Sequence, residues 1–239
     1  MNGQGFSLTL VMPCRNEAEN IEKSVRDYYG AVAEKAGDCE FLVIDGNSTD
    51  GTFDILKKLA AELPKLKLLR QPTDRPGHGA ALVIAYGAAS KDWVFQVDAD
   101  GQFEPEDFWK LYGLKDGFDF ILGVRSCRED PITRRLLSRF IAFVNKTLFG
   151  VSLKDANCPF RLMRREALAQ VMGKIPRNAV APNIFMALQA ARGGKFAEVD
   201  VVHKQRGAGK NTIGGFGLFK TALKGFFQIM RFSGDAKNR

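Results

Sequence analysis

The first hundred residues alternate between short apolar stretches and longer amphipathic ones. Four apolar stretches predict strands, at residues 6–12, 40–44, 66–69 and 93–97. Apolar positions recurring every three or four residues predict helices between them, at residues 17–35, 52–63 and 79–89. Pro13 is expected to end the first strand. Short apolar strands separated by helices predict an α/β fold, a mostly parallel sheet with helices on both faces.

Polar clusters follow three of these predicted strands. They occupy residues 14–17, 45–48 and 98–102. Parallel strands place their carboxyl ends at one edge of the sheet, where the ligands of such sheets bind. We therefore expect the three clusters to line one cleft.

Asp98 and Asp100 are the strongest local signal in the chain. On an extended backbone, residues i and i+2 point the same way, so the two carboxylates can share a divalent cation, with Gln102 as a third oxygen ligand. Such hard oxygen ligands favour Mg²⁺ or Mn²⁺. The alternative is a solvated turn that closes the strand, but two desolvated like charges favour the cation.

Beyond Gly123 the predicted helices become basic and amphipathic. Residues 133–149 and 216–232 both set Lys and Arg opposite Phe, Leu and other apolar side chains. This composition is typical of a helix at a membrane surface, and docking on the protein core is the alternative. We expect a catalytic domain at residues 1–212 and an amphipathic membrane-surface segment at residues 213–239.

Charge divides the chain in two. The 239-residue protein has a net charge of +8, but residues 1–122 carry 13 Lys/Arg and 20 Asp/Glu, whereas residues 123–239 carry 22 and 7. The acidic half suits a cation, and the basic half suits a phosphate-rich or anionic membrane-surface partner. With no signal peptide apparent and no apolar run long enough to span a bilayer, we expect a cytoplasmic, peripheral location on the cytoplasmic face of a membrane.

Several other kinds of site find no support in the sequence. The four cysteines form no C-x-x-C pair, and with two histidines they are too few for a zinc or iron–sulfur site. The glycines of residues 77–82 and 207–212 do not match nucleotide-binding loops. Neither His78 nor His203 has an obvious Ser or Cys partner. Basic residues alternate with Phe and Leu on helix faces, so no nucleic-acid partner is expected.

A basic segment follows a further strand predicted at residues 197–202. Residues 203–210 hold up to four cationic side chains and two glycines. Such a segment can close over a pyrophosphate, and a solvated charge run is the alternative.

Four motifs together resemble a known family. They are VMPCRNEAENI at 11–21, VIDGNSTDGT at 43–52, QVDADGQ at 96–102 and DANCPFR at 155–161. In order and spacing they are similar to family 2 glycosyltransferases of the GT-A fold, and more narrowly to the dolichyl- and polyprenyl-phosphate sugar transferases. The resemblance covers residues 7 to about 212 and implies an enzyme with a Rossmann-like GT-A sheet.

The resemblance assigns a donor site for a UDP- or GDP-sugar. The residues that it implies are Pro13, Arg15, Glu17, Asp45, Asp98, Ala99, Asp100, Arg206 and Lys210. Arg15 replaces a commoner aromatic residue, and Gly46 replaces a second aspartate that usually contacts the base, so the nucleotide stays open. The cation on Asp98, Asp100 and Gln102 is implied to bridge the pyrophosphate.

The resemblance also assigns the acceptor side. Arg125 and Arg161 join the two aspartates as the catalytic set, and Arg125, Arg135 and Arg139 would orient the acceptor phosphate. A polyprenyl phosphate is already anionic at pH 7, so it needs no strong general base, and in-line displacement would invert the anomeric carbon. The alternative acceptor, a polysaccharide or protein hydroxyl, needs a base, for which Asp155 is the candidate. Many relatives carry transmembrane helices that are missing here, so a membrane-protein partner is a further expectation.

Overall fold

The described residues fold around a seven-stranded mixed sheet. The computed structural model describes residues 3–126, 147, 150–175, 179, 182–205 and 228. The strands are β1 (Gly3–Cys14), β2 (Ala36–Asp45), β3 (Leu66–Arg70), β4 (Trp93–Gln96), β5 (Phe120–Ser126), β6 (Arg161–Arg164) and β7 (Phe196–Val202). Their order across the sheet is β3-β2-β1-β4-β6-β5-β7. Among these described strands, only the two pairings that involve β6 are antiparallel, so the predicted, mostly parallel sheet is confirmed.

Helices pack on both faces of this sheet, as predicted. They are α1 (Ile21–Tyr28), α2 (Thr52–Glu62), α3 (His78–Ala88), α4 (Phe108–Tyr112), α5 (Arg165–Met172) and α6 (Pro182–Gly193). A π-helical turn (Tyr29–Ala33) continues α1, and a 3₁₀ turn (Pro105–Asp107) precedes α4. The apolar side chains of α1, α2 and α4 share one core layer, and those of α3, α5 and α6 share the other.

Successive strand residues supply the two layers in turn. In β1, Leu10 and Met12 pack with α1 and α2, whereas Val11 packs with α3 on the opposite face. In β4, Phe95 and Val94 divide in the same way. Because side chains alternate along a strand, a sheet covered on both faces needs continuous apolar runs, which explains the pattern of the sequence.

Two predicted boundaries near the first motif are wrong. Pro13 does not end the first strand, since β1 continues to Cys14. Val11 is the last β1 residue paired with β4, so from there on β1 is paired with β2 alone and can accommodate a proline. The helix predicted at residues 17–35 begins only at Ile21. Residues before it form a turn in which the Glu17 carbonyl accepts backbone hydrogen bonds.

Sequence patterns assigned no element to β5, β6, α4, α5 or α6. The amphipathic helices predicted at 133–149 and 216–232 lie outside the described residues, apart from Thr147 and Gln228, and so does the segment at 213–239. Across the ranges that the structure describes, every helix is too short or too polar to cross a bilayer.

The buried carboxylate of Glu40 in β2 ties three strands together. It accepts hydrogen bonds from the Thr9 hydroxyl (2.7 Å), from Lys67 Nζ (2.8 Å), and from the N–H and hydroxyl of Ser90 (both 2.8 Å). Burial raises the pKa of this carboxyl, but the donors outweigh burial and lower it from 4.5 to about 2. The charged form therefore stabilises the contacts of β2 with β1 and β3.

Glu40→Gln should lower the free energy of unfolding at neutral pH by about 1.5–3 kcal/mol, because the charge-assisted hydrogen bonds are lost. Since the folded-state pKa is depressed, this stabilisation is complete above pH 4.5 and is lost as the pH falls towards about 2. Urea unfolding should show a smaller difference in the free energy of unfolding between variant and wild type at about pH 3 than at about pH 7. Asp116→Asn removes an exposed carboxylate and serves as the matched control without such a gap.

Candidate active site

The three polar clusters predicted from the sequence meet at the carboxyl edge of the sheet. The N–H of Gly46 donates to the Cys14 carbonyl at 2.9 Å, which joins the ends of β2 and β1. The N–H of Asn16 donates to the Ser48 hydroxyl, also at 2.9 Å. The third cluster follows β4, which lies beside β1. The structure thus brings together the ends of β1, β2 and β4.

Asp98 lies two residues beyond the end of β4 and has an unsatisfied carboxylate oxygen. Among the described residues, its buried Oδ1 has no hydrogen-bond partner. Burial raises the pKa of Asp98, and Glu17 adds to the rise, whereas the positive potential of His78, Arg125 and Arg161 opposes it. A desolvated carboxylate of this kind is stabilised by a cation, so the residue fits the predicted divalent metal.

Asp100 and Gln102 form a tight turn behind Asp98. The N–H of Gln102 donates to Asp100 Oδ1 at 3.2 Å, and Gly101 takes a φ of 70°, which favours glycine. The described ranges contain no cluster of three His, Cys, Asp or Glu side chains suited to a metal. A cation on the two aspartates would therefore need other oxygens, from Gln102 or from a diphosphate, as Mg²⁺ commonly does.

Asp45 has a structural position rather than an open one. It is fully buried, both carboxylate oxygens accept the N–H of Ser48 (3.2 and 3.3 Å), and Arg70 Nε lies 4.0 Å away. Asp45 has no exposed surface in this arrangement, and its predicted nucleoside contact stays a prediction. The carboxylate instead shapes the turn after β2.

Gly46 departs from the resembled pattern because a side chain there would be crowded. An ideal Cβ would lie 3.2 Å from the Arg15 Cβ, 3.2 Å from the Cys14 carbonyl and 3.3 Å from Gln71 Oε1. The amide nitrogen of Gln71 donates to two carbonyls of the 72–77 connection, which turns its oxygen towards Gly46. A second aspartate at this position would displace these neighbours.

The other donor-site residues differ in exposure. Arg15 is exposed and Glu17 is half-buried. Pro13 and Ala99 are buried, and the Ala99 carbonyl accepts the Ser24 hydroxyl at 2.9 Å. Contacts of these residues with a nucleotide sugar stay predictions.

Arg125 and Asp155 form a bidentate ion pair. Arg125 Nε lies 2.7 Å from Asp155 Oδ2, and its Nη2 lies 2.9 Å from Oδ1. Asp155 is buried, so the pair fastens the end of β5 to the segment that precedes β6. Because both oxygens accept from the guanidinium, the geometry disfavours Asp155 as a general base.

The direct catalytic role predicted for Arg161 needs correction. Arg161 is fully buried at the start of β6 and donates to the carbonyls of Ala156 (3.3 Å), Cys158 (3.0 Å) and Asn183 (3.1 Å). Burial lowers the pKa of its guanidinium. The side chain cannot touch a substrate without leaving the core, and its positive charge instead acts on Asp98.

Four further predicted site residues lie outside the described ranges. They are Arg135, Arg139, Arg206 and Lys210. Their roles at the acceptor phosphate and the diphosphate stay predictions.

Sequence reasoning missed His78 as a cleft residue. This exposed histidine begins α3, and its charge acts on Asp98. The missed signal was its position, because the connection after β3 also emerges at the carboxyl edge. Among the three described cysteines a thiol nucleophile is disfavoured, since burial raises the pKa values of Cys39 and Cys158 to about 12 and also raises that of Cys14.

Asp98→Asn should stabilise the cation-free protein at neutral pH, because a desolvated charge is removed. A raised folded-state pKa means that the charged carboxyl costs stability at pH 7, and this cost disappears as the pH falls. We expect a gain of about 2–4 °C in Tm by calorimetry, together with loss of any stabilisation by Mn²⁺. Asp100→Asn is the matched control, because Asp100 already accepts a hydrogen bond and should show only the second effect. An unchanged or lower Tm for Asp98→Asn would contradict the burial argument.

Two curated relatives show the range of similar proteins. An uncharacterized glycosyltransferase of Mycobacterium bovis is 29% identical over 215 residues, covering 88% of this chain and 91% of that one. The undecaprenyl-phosphate 4-deoxy-4-formamido-L-arabinose transferase of Pectobacterium carotovorum is 26% identical over 201 residues. That match covers 84% of this chain and 60% of the enzyme, so the chain spans less than two thirds of its length.

Two solved structures share the fold. Mannosyl-3-phosphoglycerate synthase of Rubrobacter xylanophilus superposes with a TM-score of 0.76 at 18% identity, covering 98% of this chain and 76% of that one. Glucosyl-3-phosphoglycerate synthase of Mycobacterium tuberculosis, crystallised with Mn²⁺, UDP-glucose and phosphoglyceric acid, gives 0.73 at 20% identity, with coverages of 96% and 80%. These likenesses confirm the predicted GT-A fold.

The matched family agrees with this fold and with the clustered motifs. Residues 9–172 match the model of Glycosyl transferase family 2. This range includes the ends of β1, β2 and β4 together with the Arg125–Asp155 pair. The chain therefore belongs to glycosyl transferase family 2 and is a glycosyltransferase.

Proposed function

We propose that this glycosyltransferase moves a sugar from a nucleoside diphosphate to a polyprenyl phosphate, with inversion at the anomeric carbon and a divalent cation at Asp98 and Asp100. The observation that carries the proposal is the buried, unpartnered Oδ1 of Asp98 at the end of β4. A buried carboxylate oxygen without a hydrogen-bond partner is stabilised by a nearby positive charge, which a divalent cation would supply.

The donor half of the proposal rests on the residues around β4. Mg²⁺ or Mn²⁺, when bound, would neutralise the charge that develops on the diphosphate as the C1–O bond breaks. Arg161 and His78 place positive potential at Asp98, which favours its ionised form despite burial. In this proposal the nucleoside would lie against Gly46, where a side chain would be crowded, and against the Gln71 amide, which is held by hydrogen bonds.

The acceptor half depends on whether the reaction needs a general base. A phosphate monoester with a second pKa of about 6 is already a nucleophilic anion at pH 7, whereas a hydroxyl must lose its proton. The candidate base Asp155 is held by Arg125 through both oxygens, which favours the phosphate. One relative is named for undecaprenyl phosphate, an acceptor of this kind.

A lipid acceptor would place the reaction at a membrane surface. The excess of Lys and Arg after residue 122 supports this location, since each basic side chain near an anionic bilayer contributes about 1 kcal/mol. We include in the proposal peripheral attachment on the cytoplasmic face, a membrane-protein partner, and acceptor or donor contacts from Arg135, Arg139, Arg206 and Lys210.

Transfer should require both the cation and the lipid phosphate. Purified protein incubated with labelled UDP- and GDP-sugars, Mn²⁺ and undecaprenyl phosphate should release label into the organic phase, and EDTA should abolish this release. Parallel reactions with 3-phosphoglycerate and with a glycan acceptor separate the acceptor classes. Transfer only to one of these water-soluble acceptors, or turnover that survives EDTA, would refute the corresponding part of the proposal.

Asp155→Asn should reduce turnover with a phosphate acceptor by less than about 10²-fold, since loss of a true general base costs about 10²–10⁴-fold. The midpoint of the acid limb of the pH–rate profile should be the same in this variant as in the wild type. Thermal stability should fall, because Arg125 loses a charged partner in a partly buried site. Asp119→Asn, which breaks the Arg164 ion pair at 2.8 Å, is the control for loss of a carboxylate without loss of activity. A larger loss of turnover with a displaced acid limb would restore Asp155 as the base.

A further inference from the structure

The exit of β7 is bonded to the turn that carries the two aspartates. The amide nitrogen of Gln102 donates to the Lys204 carbonyl at 2.9 Å, and the N–H of Lys204 donates to the Gln102 carbonyl at 2.7 Å. The neighbouring residues Phe103 and His203 form an antiparallel bridge beside these two bonds. The two segments are thus connected through both backbone and side chain.

Aromatic contacts reinforce the connection. The imidazole of His203 packs edge-on against the Phe103 ring, with centroids 4.9 Å apart. Phe103 in turn packs at 5.3 Å on Phe160, which precedes Arg161. His203 therefore lies on a stack that reaches from the surface into the core beneath β4.

Polar contacts on either side fix the same strand exit. The N–H of Val202 donates to the buried Asp107 carboxylate at 2.6 Å. The Lys204 ammonium forms an ion pair with Glu104, two residues after Gln102. The carbonyl that receives the Gln102 amide is therefore held from both sides.

We propose that His203 is a positioning residue for divalent cation binding. Its ring contact with Phe103 holds the adjacent Lys204 carbonyl in place. That carbonyl in turn fixes the Gln102 amide and the turn that contains Asp100. The inference rests on the proposed function, because it takes Asp98 and Asp100 as the cation ligands. It assigns to a histidine outside the family motifs an effect on the cation rather than contact with substrate.

The physical reason is that outer contacts orient the groups that bind a metal. The Gln102 amide is anchored at its nitrogen, which restricts rotation of the oxygen on the same group. The Gln102 N–H also donates to the Asp100 carboxylate, so movement of Gln102 changes the orientation of Asp100. Loss of such outer contacts typically weakens metal binding about 10–100-fold.

The test measures Mn²⁺ binding without turnover. Free Mn²⁺ is followed by electron paramagnetic resonance during titration of the full chain with saturating UDP, and separately with saturating GDP. His203→Leu should weaken Mn²⁺ binding by about 10-fold, because the ring contact with Phe103 is lost. His203→Phe keeps an aromatic ring against Phe103 and should bind Mn²⁺ within about 3-fold of the wild type.

Tyr112→Leu is the matched control. It removes a comparable edge-on ring contact, that of Tyr112 with Phe6 at 4.7 Å, and Phe6 lies near the amino end of β1, at the sheet edge opposite the cation motif. It should lower Tm as His203→Leu does and leave the Mn²⁺ affinity unchanged.

The outcomes separate the two proposals. Wild-type affinity in folded His203→Leu, or equal weakening in Tyr112→Leu, would overturn the positioning role while leaving the proposed function intact. Failure of the wild type to bind Mn²⁺ with either nucleotide would overturn the metal site itself, and the positioning role with it.

Discussion

The electrostatic cost of placing Asp98 at the end of a buried strand governs the carboxyl edge of this sheet. β4 is buried along its whole length, and the Asp98 side chain that follows it is half-buried, with Oδ1 withdrawn from water. Positive groups from three other parts of the chain, His78, Arg125 and Arg161, offset part of that cost. The offset is incomplete, since Oδ1 keeps no hydrogen-bond partner among the described residues. Binding of a cation would therefore offset the remaining electrostatic cost of the Asp98 carboxylate.

The antiparallel strand β6 explains how the positive groups reach this edge. In a purely parallel sheet, the amino end of the strand beside β4 would lie at the opposite edge. Because β6 is reversed, Arg161 pairs in register with Gln96, two residues before Asp98. The segment that leads into β6 also brings Asp155 to Arg125 at the end of β5. One reversed strand therefore supplies both the buried charge and the ion pair of the site.

Local pattern was sufficient for half of the fold and for the position of the two aspartates. Strands β1 to β4 and helices α1 to α3 have apolar periods that can be read within ten to twenty residues, and the predicted ranges overlap them. The direction of β6 depends on pairings with β4 and β5, which no local period encodes. Exposure was equally hidden from the sequence. Arg161 and Asp45 are charged residues of the type expected in a cleft, but both are fully buried. Backbone carbonyls accept the hydrogen bonds of Arg161, and a backbone N–H donates to Asp45, so both side chains are hydrogen-bonded inside the protein.

The position of the Arg125–Asp155 pair bears on how relatives of one fold use different acceptors. The chain leaves the sheet after Ser126 and re-enters it at Arg161, and the side chains of Arg125 and Asp155 meet between these two points, where Arg125 acts on Asp98. The connection between β5 and β6 therefore begins and ends on one side of β4, whereas the ends of β1 and β2 lie on the other side. It contains the basic, amphipathic residues 133–149. Because the ion pair joins the described ends of this connection, substitutions between them need not displace the ends of β1, β2 and β4.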